Sequence, residues 1–419
     1  MTETFFISQN ERNGKPAIRR VLFVDDDQQV LEALKTTLLG MRAGWEMTFT
    51  TSGKDALRKF DETEFDVIVT DLHMPDMNGF ELLTEVLRRH PETVRIVLSA
   101  TVKQDLGIRS SNTAHQYLAK PCDAATLRTS LNTAGRIREL LLSPTLRSLI
   151  SRMTSLPSLP SVHSKLVESL ANPETSSREL GDIIAQDVGM TTKVLQIANS
   201  AYFGLYRYIA SPAEAAVYLG VDTIRALSMS TGVFSSFQHT GLPPVFIGQL
   251  QQHSMTTGMV AQAIATSEGL PKKTSDICLV GGFLHDVGKL ILAASSPKEY
   301  ADVLSASGHD GASFFESERR VFGATHADIG AYLLWLWGLP DAICNAVAFH
   351  HKPADCSAKT FTAAGAIHVA DVLERDRSFA ASSGRRAEMD MAYVTALGLA
   401  DRIPEWRSLC DRYGERAEG

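Results

Sequence analysis

Carboxylates, a hydroxyl and an ammonium follow short apolar runs in the first third of the chain. Asp25 and Asp26 come directly after "VLFV", and Asp71 follows "VIVT". Ser99 and Lys120 end two further runs of the same kind. A carboxylate nucleophile beside a hydroxyl and a cation is the set of groups that phosphoryl transfer requires. Neighbouring carboxylates repel one another unless a cation intervenes, which favours a hard divalent ion such as Mg²⁺.

A second group of candidate residues lies in the other half of the chain and consists of histidines and aspartates. His285 and Asp286 are adjacent in the apolar run "GGFLHDVGKLIL". Neighbours on a helix point about 100° apart, so a shared site would need partners from elsewhere. Imidazoles and carboxylates are ligands for Zn²⁺, Mn²⁺ or Fe. A single buried histidine is more often a hydrogen-bonded core residue. The further candidates are His253, His326, His350, His351 and Asp371.

The first candidate group requires elements that bring strand ends together. From residue 21, five β-branched runs alternate with amphipathic segments, which predicts a doubly wound α/β fold with a five-stranded parallel sheet. Ligands of such sheets bind beyond the carboxyl ends of the strands. The segment between Ala100 and His115 is the least regular part of this pattern.

After Ser143 and Pro144 the strand-like runs end and apolar residues recur with helical spacing. We therefore predict a first domain at 18–140, a helical linker at 141–155 and an all-α domain at 156–419. "TSSREL" predicts a helix start with a capping acid, and "SFAASSGRRAEMD" predicts a flexible insertion. The run "YLLWLWGLP", with Trp335 and Trp337, is interpreted as core or a helix end.

Composition narrows the function classes. The 419 residues carry a formal charge of -7, which argues against general nucleic-acid binding, and no basic recognition helix is evident. Five scattered cysteines without a CxxC pair argue against a disulfide framework and a thiolate zinc site. We expect no export signal and no apolar run approaching the roughly 18 residues that span a bilayer. The prediction is a cytoplasmic protein with no membrane contact and no DNA partner.

The first domain resembles the receiver domain of two-component response regulators over roughly residues 18 to 140. The matching phrases are "FVDDD", "VTDLHMPDMNG", "VLSA" and "YLAKP". The resemblance implies that Asp71 accepts phosphate from a sensor histidine kinase or phosphotransfer protein. It implies Mg²⁺ held by Asp25, Asp26, Asp71 and the carbonyl of His73. It also implies that Ser99 and Tyr117 reorient on phosphorylation, and that the Lys120–Pro121 peptide is cis.

The helical part resembles the HDOD domain, a signalling module related to HD-type metal phosphohydrolases, over roughly residues 148 to 375. The phrases "ANSAYFG" and "AVYLGVDTIRAL" carry this resemblance, and Asn199, Ser200 and Gly204 are interpreted as structural. The relation to HD hydrolases implies a first metal at His253, His285, Asp286 and Asp371. It implies a second metal at His326, His350 and His351. Lys289 is a candidate for contacting a substrate phosphate.

Two functions follow from the second resemblance. After its paired histidines the chain reads "HHKPADCSAKT", without the Gly-Tyr-Pro loop of the HD-GYP phosphodiesterases, and HDOD domains as a family are regarded as non-hydrolytic. The favoured hypothesis is a response regulator whose helical domain acts on an unidentified protein partner, with a homodimer as one assembly. The alternative is a phosphorylation-gated phosphodiesterase of the HD superfamily, dependent on Fe, Mn²⁺ or Zn²⁺ and acting on a cyclic nucleotide or dinucleotide.

Overall fold

The protein is described by a computed structural model. The described residues fall into two compact units, one before and one after residue 156. The structure describes residues 19–38, 44–99 and 113–124, short runs between 127 and 169, and residues 175–198, 209–237, 242–306, 314–337, 339–357, 359–379 and 388–418.

The first unit contains the five predicted strands in one parallel sheet of order β2-β1-β3-β4-β5. Its strands are β1 Arg19–Val24, β2 Trp45–Thr50, β3 Val67–Thr70, β4 Val94–Ser99 and β5 Gln116–Ala119. Its helices are α1 Gln28–Thr37, α2 Gly53–Glu62 and α3 Gly79–Arg89. Side chains of β1, β3, α2 and α3 share one core, which includes Leu22, Phe60, Ile68 and Leu82. The predicted α/β sheet is confirmed.

The second unit is helical throughout the residues that the structure describes, which confirms the predicted change in fold class. Its helices are α4 Ser177–Ile184, α5 Val188–Ala198, α6 Pro212–Leu219, α7 Val221–Ser236, α8 Pro244–Ser267, α9 Lys272–Leu284, α10 Val287–Ser295, α11 Pro297–Ala306, α12 Phe314–Phe322, α13 His326–Leu336, α14 Asp341–Ala348, α15 Pro353–Cys356, α16 Ala363–Phe379, α17 Met391–Ala396 and α18 Ile403–Glu418. A 3-10 turn at Ala400–Arg402 precedes the last helix.

The core of the helical unit forms around the long helix α8, which packs against α9, α16 and α18. Val260, Ile264, Ile367 and Trp406 are fully buried there. The predicted start of α4 is present. The Ser176 hydroxyl accepts from the Glu179 backbone N–H, and the Glu179 carboxylate accepts from the Ser176 backbone N–H. Trp335 is buried and Trp337 ends α13, in agreement with a core or helix-end role.

Glycines allow two close helix contacts beside the second candidate site. A Cβ on Gly282 in α9 would lie 2.4 Å from the Cα of Gly258 in α8. A Cβ on Gly288 in α10 would lie 2.0 Å from the carbonyl oxygen of His326 at the start of α13. The backbones therefore approach more closely than any side chain permits.

The run "GGFLHDVGKLIL" is not one helix. α9 ends at Leu284 and α10 begins at Val287, so His285 and Asp286 lie at the junction.

The expectation that no apolar run is long enough to span a membrane was wrong for the segment Lys272–Ser295. By length and composition it qualifies, and 89% of its most apolar window is buried inside the helical unit. Core packing accounts for its apolar composition.

Several predictions lie outside the described residues. They concern most of the segment from Ala100 to His115, most of the linker 141–155, the residues Asn199, Ser200 and Gly204, and most of the insertion 378–390. The domain boundaries at 18, 140, 155 and 156 remain predictions.

Candidate phosphoacceptor site and candidate metal centre

The first candidate site forms where three parallel strands end. Asp25 follows β1, Asp71 follows β3 and Lys120 follows β5, so the strand ends bring their side chains to one edge of the sheet. Lys120 Nζ lies 2.6 Å from Asp25 Oδ2 and 2.9 Å from Asp71 Oδ1. Both carboxylates are buried, with 3% of Asp25 and 7% of Asp71 exposed.

Charge balance holds this group together. Burial raises the pKa of Asp25 above its ordinary value, although the Lys120 ammonium opposes the rise. The two carboxylates raise the pKa of Lys120 despite its partial burial. Lys120 is therefore a fixed cation between two acids.

The remaining predicted residues of this site surround the ion pairs. Asp26 is exposed beside Asp25, and the His73 backbone N–H donates to Asp71 Oδ2 at 3.0 Å. Ser99 is fully buried at the end of β4, and its carbonyl accepts from the Lys120 N–H. Tyr117 lies in β5 opposite Val97, and its side chain is outside the described set. The Lys120–Pro121 peptide is cis.

The donor set of this edge fits Mg²⁺. Carboxylate oxygens of Asp25 and Asp71 lie close enough together to contact the same Lys120 ammonium, so both could bind one metal ion. Asp26 offers a further carboxylate. Hard oxygen ligands of this kind are those that Mg²⁺ prefers. Gly79 allows the start of α3 to pack directly against the backbone of Asp71, because a Cβ there would lie 2.0 Å from the Asp71 carbonyl oxygen.

The second candidate site lies in the helical unit and contains all seven predicted ligands. They form three overlapping groups in which the possible ligand atoms lie within 4.8 Å of one another: His326, His350 and His351; His253, His285 and Asp371; and His285, Asp286 and His350. We call these seven residues the HD cluster. Segments more than a hundred residues apart meet here because α8, α9, α13, α14 and α16 pack around one centre.

One half of the HD cluster is dense in charge. His253 Nε2 lies 3.0 Å from Asp371 Oδ1, and its Nδ1 forms a short contact with Glu374 Oε2. Burial would lower the pKa of His253, but the two carboxylates outweigh burial and raise it to about 9. Arg375 Nε lies 2.7 Å from Asp371 Oδ1. The guanidinium holds the pKa of the buried Asp371 well below its usual range.

Asp286 lies between the two halves of the HD cluster. Its Oδ2 accepts from Lys289 Nζ at 2.6 Å and lies 3.6 Å from Arg375 Nη2. Its Oδ1 lies 3.2 Å from His326 Nε2. Lys289, expected from the sequence to meet a substrate phosphate, is thus in contact with the carboxylate of Asp286.

The other half of the HD cluster consists of oriented imidazoles. His326 Nδ1 lies 2.5 Å from Glu318 Oε2, and His350 Nδ1 donates to the carbonyl of Val347 at 2.7 Å. Nδ1 of each ring is therefore held by an acceptor and Nε2 faces the centre, the arrangement found in metal-ligating histidines. His351 Nε2 lies 2.8 Å from His326 Nε2.

Buried polar atoms without hydrogen-bond partners mark the centre of the HD cluster. Among the described residues, these atoms include His285 Nε2, Asp286 Oδ1 and His350 Nε2, and all three side chains are fully buried. Such atoms carry a desolvation penalty unless an ion or water completes them. Their chemistry, imidazole nitrogen with carboxylate oxygen, fits Zn²⁺, Mn²⁺ or Fe.

Sequence reasoning missed three charged residues of this site: Glu318, Glu374 and Arg375. Their spacing was the available signal, and it did not indicate a buried site. Arg375 follows Asp371 by four residues and Glu374 by one, and Glu318 precedes His326 by eight in the run "FFESERRVFGATH". Acid and base four apart are usual on exposed helix faces, so the pattern alone favoured a solvent-exposed pair. The structure buries Glu318 and Glu374 instead and leaves only 20% of the Arg375 side chain exposed.

Comparison with known proteins identifies both halves of the chain. The response regulator receiver domain matches residues 21–132, and the HDOD domain matches residues 156–353. The chemotaxis protein CheY of Thermotoga maritima is 30% identical over 120 residues, which are 28% of this chain and 98% of CheY. An HDOD domain protein of unknown function from Geobacter sulfurreducens has a crystal structure with 23% identity and a TM-score of 0.51. That likeness covers 64% of this chain and 96% of the Geobacter chain, and it shows the fold of the helical unit.

An uncharacterized protein of Treponema pallidum matches a longer part of the sequence than CheY does. It is 27% identical over 207 residues, which are 49% of this chain. The chain spans only 39% of that protein's length.

The receiver match on the parallel sheet and the HDOD match on the helical unit together define a signalling protein with a receiver and an output domain. The chain belongs to the response regulators, and its helical output domain is an HDOD domain. The seven residues of the HD cluster are brought together, while their role as ligands stays a prediction.

Proposed function

We propose that Asp71 is the residue of this response regulator that accepts phosphate. The observation that carries the proposal is the Asp71 carboxylate at the end of β3, held 2.9 Å from Lys120 Nζ. Receiver domains interact with histidine kinases or phosphotransfer proteins, and one of these is the proposed donor. Asp25, Asp26, Asp71 and the carbonyl of His73 would hold Mg²⁺.

The residues at the sheet edge have separate tasks in this proposal. Asp71 supplies the carboxylate oxygen that attacks phosphorus, and the bond between phosphorus and the donor nitrogen breaks. The Lys120 ammonium neutralises charge on the transferred group. Ser99 lies at the end of β4 and Tyr117 lies within β5. A reorientation of these two residues would alter the adjacent receiver surface.

The proposed output is a protein interaction of the HDOD domain, including assembly of two copies. A phosphoryl group can shift the protein between two arrangements only if it binds them with different free energy. The test is therefore an effect of phosphorylation on the HDOD domain.

The experiment treats the full chain with acetyl phosphate and Mg²⁺ and compares it with the Asp71→Asn variant. We expect one phosphoryl group by mass spectrometry and changed hydrogen exchange in the helical unit, both absent in Asp71→Asn. Asp76→Asn is the matched control, because Asp76 is an exposed acid in the same loop with φ of 68°, a conformation that asparagine tolerates. An unchanged response in Asp71→Asn would exclude this residue as the acceptor.

We propose metal-dependent phosphodiester hydrolysis as a second candidate function. The observation in its favour is the set of buried ligand atoms in the HD cluster that have no hydrogen-bond partner among the described residues. A bound metal would supply Lewis acidity there. Elemental analysis of protein purified without chelator, followed by a screen of cyclic nucleotides and dinucleotides, tests it. Turnover lost in both His285→Ala and Asp286→Ala would support an enzyme, whereas metal-free, inactive protein would favour the interaction module.

A further inference from the structure

The guanidinium of Arg375 lies inside the HD cluster, on the atoms that a first metal would use. Its Nε lies 2.7 Å from Asp371 Oδ1, and its Nη2 lies 3.6 Å from Asp286 Oδ2. The same Asp371 oxygen lies 3.0 Å from His253 Nε2 and 3.5 Å from His285 Nε2. Arg375 is thus a resident cation among these four residues.

The helix fixes Arg375 in this position. It follows Asp371 by four residues on α16, so both side chains lie on one face of the helix. Only 20% of the Arg375 side chain is exposed. Glu374 orients His253 Nδ1 in the same way as Glu318 orients His326 Nδ1. A metal in this half would therefore have to displace the guanidinium of Arg375 from Asp371.

The imidazole half consists of His326, His350 and His351, with Asp286 beside them. The Nδ1 atoms of His326 and His350 are oriented by Glu318 and by the carbonyl of Val347, and the fully buried His350 Nε2 has no hydrogen-bond partner among the described residues. Asp286 turns Oδ2 to Lys289 and leaves Oδ1 3.2 Å from His326 Nε2. Three imidazoles and one carboxylate oxygen therefore converge.

We propose that the HD cluster binds one metal ion, not two. His326, His350, His351 and Asp286 hold a divalent first-row transition ion such as Zn²⁺, and Arg375 replaces the other metal as a permanent counter-charge for Asp371 and Asp286. This inference rests on metal binding by the cluster, which the second candidate function shares, and it does not require turnover.

The test measures bound Zn²⁺ by elemental analysis after chelator treatment, reloading with Zn²⁺ and gel filtration, all with Mg²⁺ in excess to fill the receiver. We expect about one equivalent of Zn²⁺ in the full-length protein, none in His351→Ala, and about one in His253→Ala. Arg375→Ala should bind about two equivalents, whereas Arg375→Lys, which keeps the charge, should bind about one. Arg407→Ala, an exposed arginine of α18, is the control and should match the unaltered protein.

Different failures have different meanings. Two equivalents in the unaltered protein, or loss of Zn²⁺ from His253→Ala but not from His351→Ala, would overturn the inference. No bound Zn²⁺ would overturn the inference, whereas the hydrolytic candidate, which also allows Fe or Mn²⁺, is decided by the turnover screen. One equivalent without turnover would remove only the hydrolytic candidate. If Arg375→Ala does not fold by circular dichroism, the two histidine variants decide the question. Asp71 phosphorylation is measured separately and is not affected by these outcomes.

Discussion

At the scale of single residues, the receiver buries a histidine against an arginine. His115 Nδ1 accepts a hydrogen bond from the Arg95 backbone N–H at 2.8 Å, and the Arg95 guanidinium lies 3.2 Å from His115 Nε2. Burial, with Arg95 as the second cause, holds the pKa of His115 well below its ordinary value. The imidazole is therefore neutral in the folded receiver over a wide pH range.

This histidine predicts a pH-dependent stability of the receiver. Below about pH 6.5 the unfolded chain binds a proton on His115 that the folded chain does not bind. The contribution of His115 to the free energy of unfolding is therefore fully present above that pH and is lost as the pH decreases. The slope from this residue is at most about 1.4 kcal/mol per pH unit. Denaturant unfolding of the full chain at a series of pH values measures it.

The variant His115→Gln should flatten the slope of the receiver transition. His90→Gln is the matched control, because His90 is only partly buried beside Phe60. An unchanged slope in His115→Gln would contradict the assignment to this histidine.

The residues of the two sites differ in how far sequence could predict them. Asp25, Asp71, Ser99 and Lys120 each end an apolar run, and parallel strands bring such ends to one edge, so local pattern fixed their convergence. The predicted histidines and aspartates of the HD cluster also converge. Arg375 could not be predicted from pattern, because burial of a helical ion pair depends on how neighbouring helices pack.

At the scale of elements, glycine contacts set the spacing of the helices that carry the HD cluster. α10 meets α13 at Gly288, next to the backbone of His326, and α9 meets α8 at Gly282 and Gly258. The sequence run 281–292 gave no sign of the break between α9 and α10. His285 has near-helical angles, φ -57° and ψ -33°, so no turn-forming residue was needed there.

Gly288→Ala should therefore destabilise the helical unit. The new methyl group would lie 2.0 Å from the His326 carbonyl oxygen, and overpacking of this kind typically costs about 1–3 kcal/mol. Gly248→Ala is the control on α8, since nothing lies within 4 Å of its added Cβ, and alanine there favours the helix by up to about 1 kcal/mol. Thermal unfolding of both variants measures the difference. Equal stability of the two would show that the contact is not as tight as described.

At the scale of the whole molecule, the two units have separate cores and separate candidate cation sites. An ion that binds only one folded unit stabilises only that unit, by about 2.7 kcal/mol at a hundred times its dissociation constant. We expect Mg²⁺ to raise the melting temperature of the receiver and Zn²⁺, with Mg²⁺ in excess, to raise that of the HDOD domain.

Calorimetry of the full chain tests this separation. Asp25→Asn should remove the Mg²⁺ effect alone, and His351→Ala should remove the Zn²⁺ effect alone. A single transition that both ions move together would show that the units unfold as one.

The segment Lys272–Ser295 has a consequence for the newly made chain. Before α8 and α16 cover it, its 24 largely apolar residues form a stretch that a bilayer or another unfolded chain could capture. Asp286 and Lys289 lie within that stretch, and a charge at the centre of a membrane-spanning helix adds about 2.5–3.5 kcal/mol to the free energy of insertion. The Asp286 carboxylate, which belongs to the HD cluster in the folded protein, therefore also opposes insertion of this apolar segment into a bilayer.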